Sequence, residues 1–180
     1  MVTGEALNSE FLRVARRGLE QHFAKIQKAV AKLDESQLWG RAHENENAVG
    51  NLLMHLAGNV RQWIICGLGG EEDRRDRDGE FAQREALPAK ELLAKLRRTV
   101  EDADRVIAAL TPEQLMERHN IQGYQVTGLY AVFHVVDHFG EHTGQIIWIA
   151  KNRSGDGLGF FKHLSGGGKA EGGEPGIPLD

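Results

Sequence analysis

Four stretches of the chain repeat apolar residues at the three-to-four-residue spacing of helices buried on one face. In the first, SEFLRVARRGLEQHFAKIQKAVAKL, the series is Phe11, Leu12, Ala15, Leu19, Phe23, Ile26, Val30 and Leu33. Ser9 is placed to cap its start, and Arg16, Arg17 and Lys25 mark its outward side. The second, AVGNLLMHLAGNVRQWIICGL, carries Val49, Leu52, Leu53, Leu56, Val60, Trp63 and Ile64 and runs into the glycine stop GLGG. The third follows Pro88, a residue suited to a helix start, and carries Leu92, Leu93, Leu96, Val100, Ala103, Val106, Ile107 and Leu110. The fourth, GLYAVFHVVDHFGEHTGQIIWIAKN from about Thr127, is apolar nearly all round, the pattern of a helix in the interior of a bundle.

The segments between them are polar. DESQLWGRAHENEN reads as a connection. EEDRRDRDGEFAQREALP, dense in charges of both signs and without periodicity, reads as an exposed crossover whose local ion pairs are each worth little. TPEQL opens a short turn, MERHNIQGYQV is extended or irregular around Gly123, and no segment calls for a sheet. The prediction is an all-α fold, a four-helix bundle with a long crossover between helices 2 and 3. Residues 1–165 form the domain and 166–180 a flexible tail rich in glycine and proline. Phe160, Phe161 and Leu164 are placed to clasp the bundle just before that tail.

Composition narrows the function classes. A length of 180 residues suits one domain with a sizeable core, and a net charge of -4 gives no electrostatic reason to bind nucleic acid or an anionic membrane. Neither is an expected partner. Cys66, the single cysteine, excludes an intramolecular disulfide framework and any CxxC site, so a cytoplasmic protein is the simplest expectation. The N-terminal stretch is charged almost at once, which is not a signal-peptide core, and no run of about 18 apolar residues predicts a membrane span.

The candidate chemistry lies where polar residues interrupt the apolar faces. His134, His138 and His142 follow one another at four-residue steps in the fourth helix, and Gln145 continues their stripe. In the second helix Asn51, His55 and Asn59 keep the same spacing, with Gln62 close by. If the two stripes face each other, His55 comes toward His138 and His142, as in metal sites built in bundle cores. Neutral imidazole ligates zinc, nickel, iron or copper, and three nitrogens leave positions open for water or substrate, the catalytic kind of site. A lone histidine on such a helix is more often a hydrogen-bonded core residue, and a half-exposed stripe fits the same spacing, so spacing alone leaves both readings open. It also leaves open whether His134 or His142 pairs with His138. Asp137 and Glu141 each precede a histidine by one position and so point about 100° away from it, which suits pairing with a neighbouring helix; Glu141 is nonetheless a candidate base. Asn51, Asn59 and Gln145 are candidates to orient a bound ligand or to hydrogen-bond a loop.

The segments NLLMHLAGN and DHFGEHTGQI resemble the DinB-like superfamily, also described as YfiT-like metal-dependent hydrolases, over roughly residues 5 to 165. The stretches ENAVGNLLMHLAGNVRQWI, RDRDGEF and HVVDHFGEHTGQII look like one bacterial branch of it. The resemblance implies a bundle of up-down-down-up topology, often a homodimer, holding a divalent metal, usually zinc or nickel. It implies His55, His138 and His142 as ligands, the last followed by Thr143, Gly144 and Gln145, with His134 left beside the ion or facing substrate. Some relatives of this kind act as low-molecular-weight thiol (S-) transferases or thiol-dependent isomerases, and others are described as hydrolases by analogy, so a small-molecule substrate is expected. The competing expectation is a non-catalytic dimeric bundle that binds a small ligand or a structural metal. A third is an empty site whose histidines hydrogen-bond one another.

Overall fold

The computed structural model describes residues 3–161. The expected tail, and Leu164 of the expected clasp, lie outside the described residues; Phe161 is about half exposed, with the Lys25 ammonium over its ring. The described residues are mostly helical, as expected of an all-α fold. The helices are α1 (Gly4–Val30), α2 (Glu35–Trp39), α3 (Val49–Val60), α4 (Arg77–Ala82), α5 (Ala89–Ala108), α6 (Pro112–Met116) and α7 (Gly128–Ser154). A π-helical turn, Arg61–Cys66, prolongs α3.

The long elements form where the periodic pattern placed them. α1 buries Leu12, Ala15, Leu19, Phe23, Ile26 and Val30 along one face, and α5 buries Leu92, Leu96, Val100, Ala103 and Ile107. Each such side chain contributes roughly 1.5–3 kcal/mol by leaving water. α1 packs on α5 and α7, while α3 packs on α4, α5 and α7. No helix among the described residues is long and apolar enough to cross a membrane.

Four expectations are corrected. The cap of α1 is Thr3, whose hydroxyl accepts from the Ala6 amide at 3.2 Å, so the helix begins five residues ahead of Ser9. The most enclosed helix is α3, not the fourth: ten of its twelve residues are buried because α2, α4, α5 and α7 all pack on it. α7 lies at the edge and leaves Leu129, Tyr130, Phe133 and Trp148 exposed. A two-stranded antiparallel hairpin, β1 (Arg118–Ile121) with β2 (Tyr124–Thr127), replaces the irregular segment. It has no alternation to announce it; its turn residues Gln122 and Gly123 both take positive φ, 54° and 82°, as the tightest hairpin turns require.

The fourth correction bears on the site. The charged crossover is not a free loop. Asp76 accepts from the Gly79 amide at 2.9 Å and starts α4, which lies against α3 with Glu80 buried. Asn51 donates to the carbonyls of Glu80 at 2.8 Å and Gln83 at 3.1 Å, and Gln62 donates to Asp73 at 2.6 Å. Asn51 of α3, with Arg41 on Gln83 and Trp39 on Leu87, thus satisfies carbonyls of the crossover backbone.

Candidate metal centre

α3 and α7 bring three histidines together although the chain separates them widely; His55 and His138 are 83 residues apart. His138 and His142 stand one turn apart on α7, and His55 faces them from α3. Their Nε2 atoms meet at 2.9 Å between His55 and His138, and the ring centroids lie 5.1 Å (His55–His138), 5.0 Å (His55–His142) and 4.4 Å (His138–His142) apart. One nitrogen from each of the three falls within 4.8 Å of the others. Two nitrogens on a tetrahedral zinc, each about 2.0–2.1 Å from it, sit roughly 3.3 Å apart, so the cluster has the dimensions of a three-nitrogen site.

The protonation states suit the same use. Burial pushes the His138 imidazole down to about 3, helped by the neighbouring His142, His55 and His134 and by Arg75. Burial also lowers His142 and His134. Rings kept neutral at physiological pH offer the lone pair that a metal needs. The outer nitrogens face acceptors: His142 Nδ1 lies 2.8 Å from Gln145 Oε1, and His55 Nδ1 lies 3.1 Å from Glu80 Oε2. His138 Nδ1 faces Glu141 Oε2 at 3.8 Å, too far for a hydrogen bond. His55 is buried, whereas His138 and His142 are partly open to solvent, so one side of the cluster is accessible.

The other expected site residues are placed as follows. His134 stands outside the trio, stacked at 5.5 Å on His138 and packed on Trp63 at 4.1 Å and Tyr130 at 6.2 Å. Glu141 is two-thirds exposed beside His138. Gln145 contacts His142, while Asn51 spends both its amide and its carbonyl on the crossover and on Arg41 and Ala48. Asn59 is buried one turn beyond His55, its Oδ1 without a partner among the described residues. A groove of about 570 Å³ lined by Leu52, Glu141, Gly144, Gln145 and Trp148 opens beside this end of α7.

Two residues were missed. Arg75 and Glu80, read in the sequence as part of a solvated charge run, form a buried pair against His55: Arg75 Nε and Nη2 each donate to a Glu80 oxygen at 2.8 Å. Burial alone would raise the Glu80 carboxyl, but hydrogen bonds from Arg75 and His55 outweigh it and hold the pKa below its usual value. The available signal was Asp76 as a cap, followed by the apolar Phe81 and Ala82 on the next turn of a short helix. Phe81 packs on the His55 ring at 4.7 Å.

The family described as "Protein of unknown function (DUF1572)" matches residues 6–165. Among solved structures, a conserved protein from Enterococcus faecalis is similar with a TM-score of 0.69 at 15% identity, over 80% of this chain and 97% of that one. A DinB-like protein from Bacillus cereus is similar with a TM-score of 0.59 at 15% identity, over 77% of this chain and 89% of that one. At such identities the likeness is one of fold. None of the curated proteins matches the chain.

Proposed function

The chain belongs to the DUF1572 family and shares its fold with a DinB-like protein, and from this we propose that it is a metal-dependent enzyme that activates a small nucleophile. The observation that carries the reading is the convergence of His55, His138 and His142 nitrogens within 4.8 Å, from two facing helices, with one side open. A divalent ion held there, zinc or nickel by our reading, supplies Lewis acidity and lowers the pKa of a coordinated water or thiol. The reaction class is accordingly hydrolysis, or thiol (S-) transfer with a low-molecular-weight thiol. The chain's own groups do the rest: His138 and His142, lowered by burial, present lone pairs, Gln145 orients His142, and His134 lines the approach between Trp63 and Tyr130. The groove beside Gln145 has the volume of a small-molecule site.

We further propose a four-helix bundle of up-down-down-up topology, acting in the cytoplasm as a homodimer. The packing of α1 on α5 and α7, and of α3 on the same two, supports the topology. The exposed Leu129, Phe133 and Trp148 on α7 support self-association.

Elemental analysis of untagged protein tests the reading. Near-stoichiometric zinc, nickel or iron in the wild type, lost from both His138→Ala and His142→Ala, is expected. A wild type that takes up none of these ions after reconstitution would sink it.

A further inference from the structure

We propose that Glu80, gripped by Arg75, is a positioning residue of the metal centre: it fixes the His55 ring with the proton on Nδ1 and the Nε2 lone pair turned into the cluster. The inference rests on the reading of the three histidines as ligands. It assigns to the crossover, the most polar segment of the chain, a part in building a site whose ligands all lie on other elements.

The geometry points this way from several sides. A neutral imidazole has one N–H, and whichever partner engages Nδ1 decides where it sits. Two groups compete at His55 Nδ1: Glu80 Oε2, an acceptor, at 3.1 Å, and Arg75 Nη2, a donor, at 3.0 Å. They demand opposite tautomers. Donation from Arg75 would put the proton on Nε2, aimed at His138, where it would block coordination. Acceptance by Glu80 leaves Nε2 bare. The Arg75 protons have other destinations: Nε and one N–H of Nη2 donate to the two Glu80 oxygens at 2.8 Å, Nη1 donates to Gln62 at 2.9 Å, and the second N–H of Nη2 has the His55 carbonyl as an acceptor at 3.4 Å. A carboxylate on the outer nitrogen of a metal-ligating histidine is a recurrent means of fixing tautomer and ring orientation.

Glu80 is also held too firmly to act as a loose surface charge. The side chains of Arg75 and Glu80 are 4% and 9% exposed, which makes the pair dry enough to be directional. α3 leaves room for it: a Cβ added at Gly58 would lie 1.9 Å from Glu80 Oε1 and 2.8 Å from Arg75 Nε. Asn51, one turn before His55, fastens the Glu80 carbonyl, so backbone and side chain of Glu80 are both tied to the helix that carries the ligand.

The metal-free tautomer of His55 is the direct test, read by long-range nitrogen-15 NMR and assigned with a His55→Gln variant. We expect Nδ1–H in the wild type and a shift toward Nε2–H in Glu80→Ala; Nε2–H in the wild type overturns the proposal. Cobalt titration, followed by its visible absorption and by zinc competition, gives the second readout. Glu80→Ala is expected to weaken binding by about 10- to 100-fold. Should that variant fail to fold, the paired Arg75→Met/Glu80→Met protein, which removes both charges together, is expected to show the same loss. Wild-type affinity in the folded variant counts against Glu80. A wild type that binds no metal defeats the functional reading instead, and the tautomer measurement still decides the role of Glu80.

Discussion

His55 and His138 touch at their Nε2 atoms, 2.9 Å apart, yet they live in different surroundings. On the α3 side the ring is buried, packed by Phe81 and faced by a carboxylate that Arg75 holds at two points. On the α7 side the ring is one-fifth exposed, and the nearest carboxylate, Glu141, stands 3.8 Å away and mostly in water. One wall of the site is preset and the other can adjust. Only one of two touching Nε2 atoms can carry a proton in that contact. With His55 fixed by Glu80 as proposed, His138 would be the donor in the metal-free protein and would move its proton to Nδ1, on the Glu141 side, to become a ligand through Nε2. The difference separates a side built for position from a side built for exchange with solvent and substrate.

That contrast can be broken at its strongest point first. Arg75→Ala leaves the Glu80 carboxylate buried without its cation and should cost about 3–5 kcal/mol in denaturant unfolding of the metal-free protein. A loss below about 1 kcal/mol would mean that the pair is wet and the preset wall a fiction. Gly58→Ala drives a methyl group into the same pair and should cost roughly 1–3 kcal/mol, with His55 losing its fixed tautomer.

Acid should act more gradually, through the α7 side. Burial first, and then the neighbouring histidines and Arg75, push His138 down to about 3 in the folded protein, whereas an unfolded histidine titrates near 6.5. Between those values the unfolded chain binds the extra proton, so stability is complete above about pH 6.5 and falls as pH drops toward 3. The slope from His138 is at most about 1.4 kcal/mol per pH unit. Urea midpoints measured from pH 7 to 4 should show this decline, and His138→Gln should flatten it. An unchanged slope in the variant would remove His138 as its source. The smallest effect is expected at Glu141→Ala: less than about 0.5 kcal/mol in stability, as for other exposed ion pairs, and little change in metal affinity. A loss comparable to that of Glu80→Ala would erase the distinction between the two walls.

How much of this was legible in the sequence follows from what kind of burial each part uses. The long helices bury periodic apolar faces, and a face such as Leu12, Ala15, Leu19, Phe23 and Ile26 announces itself. The four-residue series of histidines was legible because a helix sets its own spacing, but the choice of His142 over His134, and of His55 as their partner, came from the family resemblance and not from spacing. Arg75 and Glu80 were not, because their burial is repaid by a partner five residues away and by His55 on another element, and a buried charge pair is spelled with the same letters as a solvated one. The fourth helix misled for the converse reason: Phe133 and Trp148 are apolar but face outward. The hairpin rests on the left-handed backbone of Gln122, which that residue type does not signal.

The 83-residue separation of His55 and His138 has a consequence for how the protein comes apart. An ion shared by the two would act as a reversible cross-link, closing a loop that contains the crossover, α5, α6 and the hairpin. Closing so long a loop restricts the chain far more than a clip between neighbours would. At a metal concentration about 100 times its dissociation constant such a cross-link adds about 2.7 kcal/mol to the folded state. Metal supply would then set the protein's lifetime as well as its chemistry, since a chelator that empties the site opens the loop and exposes the chain to proteolysis.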